Sequence, residues 1–496
     1  MSRTLVVGPF NRVEGDLEVR LDIVDGRVQS ARVNAPMYRG FEQMLVGRDP
    51  MDALFIVPRI CGICSVSQSV AAARALADLA GVEVPPNGLI ATNLMLACEN
   101  LADHLTHFHL FFMPDFARPV YASQPWFAEV ERRFAAGRGE HARAATAARQ
   151  RWFTLMGTLG GKWPHTQSIH PGGSSRAIDA SERLRLLAKV RELQAFCEQT
   201  LFGAPLEHIA HLADEDALSA WADGPGAASD LALFLRCADT LDLGRAGIGP
   251  GRTLSVGAYR QADGSHGLAA GVWTADTAVQ PLDAARYSAE LTEDATHAWL
   301  ATRPGDEPHA DPARSPRHGH TQPQPDKPGA YTWNKAPRLA GRVVETGAVA
   351  RQLASGQRLI EEAVRRDGTS VRTRVLARLI EIARVLPEMV GWLAALRPGE
   401  PYSAPFRLPE DGVGVGLTEA ARGALGHWAE VRDGRIARWQ IVAPTSINFS
   451  PRDAEGTPGA LEAALVGARV EPGETTPVSV QHIVRSFDPC MVCTVH

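Results

Sequence analysis

The sequence predicts a mainly α protein with small β elements (α+β) built around a large helical-bundle core. Three observations carry this. Long stretches with apolar residues at helical spacing fill the middle of the chain. Short alternating runs around Asp-Gly turns lie towards each end. The 496 residues are 45% apolar and 22% charged, the balance of a globular chain with an ample core.

The elements follow in order along one expected unit, 1–496. Residues 1–50 are read as a β-rich start, where "LEVRLDIVDGRVQSARVNA" alternates apolar and polar around Asp25-Gly26, a hairpin signal. Residues 51–400 are read as the helical core. In "ATNLMLACENLADHLTHFHLFF", Leu94, Cys98, Leu101, Leu105, Phe108 and Phe112 form one stripe along a long helix. Residues 140–158, 181–202, 206–222, 282–300 and 345–396 also read as helical, the last as two or more helices. A second β patch is expected over 252–276. Residues 303–329, rich in Pro, His and charge, read as a surface insertion whose His309, His318 and His320 are solvated. Residues 401–496 form a C-terminal segment with a hairpin at 427–444.

A net charge of −5 and the absence of any Lys/Arg-rich run argue against nucleic acid as a partner. No run of 18 apolar residues is present, so no transmembrane segment is expected. The first residues lack a signal peptide's apolar core, which points to the cytoplasm or to export on a partner's signal.

Of seven cysteines, Cys98, Cys197 and Cys237 lie singly in apolar helical stretches and read as small core residues. The other four form two Cys-x-x-Cys pairs, Cys61/Cys64 before a helix starting near Ser65, and Cys490/Cys493 at the chain's end. A helix N-terminus stabilises thiolates and suits metal binding. Two such pairs can make a tetrathiolate site, with structural zinc and a redox role as other readings. Spacing alone does not decide among them.

The surrounding residues add more. "RVEG" (12–15), "RGFE" (39–42), "RICGIC" (59–64), "GGKWPH" (160–165), "YTWNKAPR" (331–338), "ARGALGHW" (421–428) and "DPCMVC" (488–493) occur in one order along the whole chain. Together they resemble the large, catalytic subunit of a [NiFe]-hydrogenase. The resemblance implies heterolytic H2 cleavage at a nickel–iron centre whose iron carries CO and cyanide. Cys61 and Cys490 would bind nickel terminally and Cys64 and Cys493 would bridge; soft thiolates suit both metals.

Arg422 would face the open side of the centre and hold a cyanide, with Ala421 where the family usually has proline. Thr445 matches the residue that bonds the other cyanide. Asp103 and Asp488 would orient the arginine, and Glu14 would relay protons. The first proton would go to Cys490 or Arg422. Glu42, His496 and the Ile441 carbonyl would hold a Mg2+-type ion. Electrons would leave through Fe–S clusters in a small-subunit partner, and maturation proteins would assemble the centre.

Ile63 and Phe111, the bulky pair of a gas channel, and Gln68, where other groups carry histidine, resemble the regulatory branch. They imply a low-turnover H2 sensor signalling to a histidine kinase. The alternative is an O2-tolerant uptake hydrogenase feeding respiration. His496, the last residue here, matches the point after which relatives are commonly cleaved, so the tail "SFDPCMVCTVH" is expected to be interior rather than frayed.

Overall fold

A computed structural model describes residues 2–302 and 313–496. About 45% of the chain is helical and 20% strand, the mixed α+β class expected, though with more strand than small end pieces. One continuous apolar core runs from Val7 to Val495. Cys98, Cys197 and Cys237 are buried in it as free thiols.

The first hairpin forms as expected, Glu18–Val24 against Arg27–Asn34, with Ser2–Val7 as a third antiparallel strand. Asp25 and Gly26 both take positive φ in the turn. At the other end, Gly423–Arg432 and Arg435–Val442 form the second hairpin around Asp433-Gly434. A third strand, Gly412–Ala420, joins this sheet. Its "GVGVGL" pattern hides it, because glycine weakens a strand signal. The glycines have a packing reason. A Cβ on Gly416 would lie 1.9 Å from the Ala71 carbonyl, so the Ser65–Ala80 helix rests directly on this strand's backbone. That contact sets the height of the helix that starts at Cys64.

The long helix is Pro86–Thr106, continuing into a π-helical stretch over His107–Phe112. Residues 345–396 resolve into a two-residue strand, Glu345–Thr346, and three helices. Ala348–Ala354, Arg358–Asp367 and Val371–Ala395 are separated at Gly356 and Gly368, both left-handed in φ. Stretches 140–158 and 206–222 each split into two helices.

The expected helix over 282–300 is corrected. Only Ala284–Glu290 is helical, and Leu291–Asp294 becomes a strand paired with Ala336–Leu339. Pairing with a segment some 45 residues away overrides the local periodicity. The β patch at 252–276 forms and extends to Gln280. In the 303–329 stretch, His309 lies outside the described residues, His318 is exposed and His320 is half-buried. The part from 313 onward is not a free surface loop, since Ala313–Arg314 joins the Leu291–Asp294 strand. Among the described residues no helix is long and apolar enough to cross a membrane.

A buried ionic cluster fastens the π-helical stretch to the neighbouring helices. Asp230 is fully enclosed and accepts from His109 at 3.1 Å, His141 at 2.7 Å and Arg133 at 2.9 Å. Burial opposes its charge, but the His109 and His141 bonds win and hold its carboxyl at about 2, below the ordinary 3.8. A depressed carboxyl contributes stability above its unfolded pKa and loses it as pH falls through the folded one, here about 2 kcal/mol lost between roughly pH 4 and pH 2. Asp230→Asn is therefore expected to destabilise by about 3 kcal/mol near neutrality. Urea midpoints measured against pH should show the wild-type advantage shrinking below pH ~4; an advantage constant with pH would contradict this.

Candidate metal centre

The four motif cysteines converge. Cys61 lies at the C-terminal side of the Val57–Ile60 turn, Cys64 directly precedes the Ser65–Ala80 helix, Cys490 directly precedes a final short helix, Met491–Thr494, and Cys493 lies within it. Sulfur–sulfur distances are 3.4 Å for Cys61–Cys490, 2.8 Å for Cys64–Cys493 and 3.2 Å for Cys490–Cys493. All four Sγ atoms lie within 4.8 Å of one another, buried and free of disulfides. Hydrogen bonds from Cys490, Cys493 and Cys64 pull Cys61 well below the ordinary thiol range. Bonding to Cys490 pushes Cys64 well up, and burial does the same to Cys493. Packing four sulfurs this closely in a dry site is costly unless a cation joins them, and an all-thiolate set suits a soft metal. The residues present fit a nickel–iron centre.

The tail is interior, as expected from the motif. Asp488, Cys490, Met491, Cys493 and Thr494 are at most 2% exposed, and His496 is 7% exposed. Arg39 explains how it is held. Its guanidinium donates to the Ile60 carbonyl at 2.6 Å and to the Val492 carbonyl, stapling the residue before Cys61 to the short helix that follows Cys490. Arg39 sits inside the "RGFE" motif, so its position was visible in the sequence although its job was not.

Arg422 is 3% exposed, buried beside the thiols, and the charges of Asp103 and Asp488 overcome burial to hold its guanidinium protonated. It meets Asp103 through two nitrogens at 3.0 and 3.1 Å, and Asp488 at 3.2 Å, and it also donates to the Asp488 carbonyl at 2.9 Å. Burial pushes Asp103 up to about 8, while Arg422 overcomes burial and holds Asp488 down. Asp488 takes a left-handed φ of 56° to bring both its carbonyl and its carboxylate to Arg422. Fully buried Arg351 donates to the Ala420 and Ala421 carbonyls at 2.9 and 3.0 Å, fixing the backbone just before Arg422. Ala421 thus acts through its carbonyl, and Arg351 carries no motif that marks it.

Glu99 and His107 flank Asp103 at four residues either side, a spacing that reads from sequence as a solvated helix face. The structure buries all three. Glu14 is half-buried; burial and the nearby Cys61 raise its carboxyl. Its carbonyl accepts from the Met491 amide at 2.7 Å, tying "RVEG" to the tail. The Thr445 hydroxyl accepts from the Cys490 amide at 3.2 Å.

Gln68 is buried one turn after Cys64 and bonds His427 at 2.9 Å; Trp439 donates to the other ring nitrogen, so His427 donates to Gln68. Ile63 is half-buried against the core. Phe111 is also half-buried, whereas its neighbour Phe112 is the ring embedded among Phe116, Phe234 and His482.

The second expected site is assembled in part. His496 Nε2 lies 3.3 Å from Glu42, and its Nδ1 donates to the Cys493 carbonyl at 3.1 Å, the second-shell bond typical of a ligating histidine. Ile441 presents its amide to Glu42 at 2.8 Å; in a strand the carbonyl of the same residue leaves on the same side. Thr321 also donates to Glu42, and Lys335 bridges Glu293 and Gln440 at 3.1 Å each. Lys335, His496 and Thr321 overcome burial to hold Glu42 at about 2. The cavity is about 20 Å³, room for an ion or a water, and its oxygen-rich donors fit a hard divalent ion.

The profile of the nickel-dependent hydrogenase family matches residues 39–129 and 140–496. The periplasmic [NiFeSe] hydrogenase large subunit of Desulfomicrobium baculatum is 29% identical over 99% of this chain and 94% of its own length. The uptake hydrogenase large subunit of Azotobacter chroococcum mcd 1 and the hydrogenase-1 large chain of Escherichia coli K12 are each 28% identical over 100% of this chain and 95% of theirs. Among solved structures, the H2-activated D. baculatum [NiFeSe]-hydrogenase superimposes with a TM-score of 0.85 at 28% identity, covering 100% of both chains. The reduced Ni-Fe-Se hydrogenase of D. vulgaris Hildenborough gives 0.83 at 28%, also covering 100% of both chains. With its four cysteines gathered as such a centre requires, this chain belongs to the nickel-dependent hydrogenase family, as a catalytic large subunit.

Proposed function

We infer that Cys61, Cys64, Cys490 and Cys493 would hold a nickel–iron centre, Cys61 and Cys490 through nickel alone and Cys64 and Cys493 through both metals, that its iron would carry CO and cyanide, and that the chain cleaves H2 heterolytically. The observation that carries this is the meeting of two distant thiol pairs beside one buried arginine. Such a centre, when bound, supplies the soft metals that polarise H2.

The protein's own part is electrostatic and protonic. Arg422, fixed by Asp103 and Asp488, offers a permanent charge and donors that do not reorganise during the reaction. Thr445 and the Ala421 carbonyl, which Arg351 holds, shape the rest of the iron-ligand pocket. Cys490 or Arg422 takes the first proton. Glu14, half-buried with a raised pKa, is placed to pass it outward. Glu42, His496 and Ile441 would hold a Mg2+-type ion, which would anchor the tail. Cys98, Cys197 and Cys237 are buried singly, so electrons pass to a small-subunit partner with Fe–S clusters. Maturation proteins would build the centre.

Within the family we favour a regulatory H2 sensor of low turnover, cytoplasmic and signalling to a histidine kinase. Ile63 beside the ligands, Phe111 and the buried Gln68 support it. The relatives' names, an uptake large subunit among them, favour the second reading, an O2-tolerant uptake enzyme. The test is metal analysis and infrared spectroscopy of the matured protein, then H2 oxidation with and without O2. Nickel, CO and cyanide bands and slow, O2-indifferent turnover are expected. Zinc without nickel and without those bands would overturn the centre; fast turnover would turn the role to uptake.

A further inference from the structure

Cys64 occupies the N-cap of the Ser65–Ala80 helix and makes no side-chain bond to it. Helices usually begin with Ser, Thr, Asp or Asn, whose oxygen takes the free amide of the second or third residue. A sulfur committed to a metal has no such freedom, yet the Val66 and Ser67 amides are buried and need acceptors.

Glu99 supplies them from the Pro86–Thr106 helix. One carboxylate oxygen accepts the Val66 amide at 2.9 Å; the other accepts the Ser67 amide at 2.9 Å and the Ser67 hydroxyl at 3.0 Å. Trp163 Nε1 donates to the first oxygen at 3.0 Å and the Ser65 hydroxyl lies 3.4 Å from it. Five donors surround a side chain 2% exposed, and the Val66 and Ser67 amides, Trp163 and the Ser67 hydroxyl oppose the burial that pushes its carboxyl up to about 7. One turn further along the same face, Asp103 holds Arg422. Two carboxylates four residues apart on one helix therefore set the bridging cysteine and the arginine relative to each other.

We propose that Glu99 is a positioning residue, an N-cap delivered from a second helix that fixes Cys64 while leaving its sulfur free for the metal. This rests on reading the four cysteines as ligands. Nothing in the sequence marks Glu99 for this role, since the capping bond spans 33 positions.

The test uses the matured complex with Glu99→Gln and Glu99→Asp. Glutamine keeps the shape but replaces one acceptor oxygen with an NH2 facing an amide. Hydrogen exchange over residues 65–69 is expected to quicken ~10-fold or more, the infrared bands to shift or split, and turnover to fall ~10–100-fold with nickel still bound. Glu99→Asp, which keeps the charge but is shorter, should restore part of each. Unchanged exchange, bands and rate in Glu99→Gln would overturn the proposal. If the wild type lacks nickel and bands, the ligand reading fails instead, and the exchange measurement still decides whether Glu99 caps the helix.

Discussion

Changing Cys490 to serine is expected to leave the chain folded but nearly free of nickel, with H2 oxidation at background. The two side chains are close in size, and Cys490 sits in a closed site 1% exposed, so little packing is lost. The chemistry changes far more. A serine hydroxyl is a hard donor that stays protonated at neutral pH, whereas nickel in a sulfur set needs a thiolate. Cys490 also faces Cys61 of the first pair at 3.4 Å and Cys493 of its own pair at 3.2 Å, so losing it removes a sulfur that joins the two pairs. Cys197→Ser is the control, a buried cysteine whose thiol is pushed up by burial and lies in the helical core. Nickel counted per chain by mass spectrometry decides the matter. A Cys490→Ser protein with full nickel and full activity would remove Cys490 from the centre.

The second large effect is expected at Arg422. Arg422→Lys keeps the charge but gives up the planar fork, which here meets Asp103 with two nitrogens and Asp488 with one of them. One ammonium cannot satisfy both carboxylates in that geometry, and an unmet buried carboxylate takes up a proton instead. Turnover should fall ~10²-fold or more, the scale for losing a preorganised donor at a reacting centre. Nickel content should hold, because Arg39 and Thr445 still secure the backbone at Ile60, Cys490 and Val492 when the Arg422 bond to the Asp488 carbonyl is lost. Parallel loss of nickel and activity would instead make Arg422 a structural support for the site.

The sequence by itself determined a good deal. The mixed helical core, both Asp-Gly hairpins, the isolated core cysteines and the ligand pairs were all legible, because each depends on local periodicity, turn chemistry or short spacing. The buried tail was legible too, through the motif that ends at His496. Tertiary structure alone decided the rest. The Leu291–Asp294 strand exists because Ala336–Leu339 lies beside it, and the Gly412–Ala420 strand because a helix presses on its glycines. Arg39, Arg351, Lys335 and Glu99 carry ordinary charged side chains whose partners are scattered along the chain. A bond such as Arg39 to Val492 spans 453 positions, and no periodicity in a sequence encodes a contact at that distance. The cysteine pairs could be read from residue type and spacing, and their expected metal from the family motifs around them, whereas the groups that hold them in place became visible only once the chain was folded.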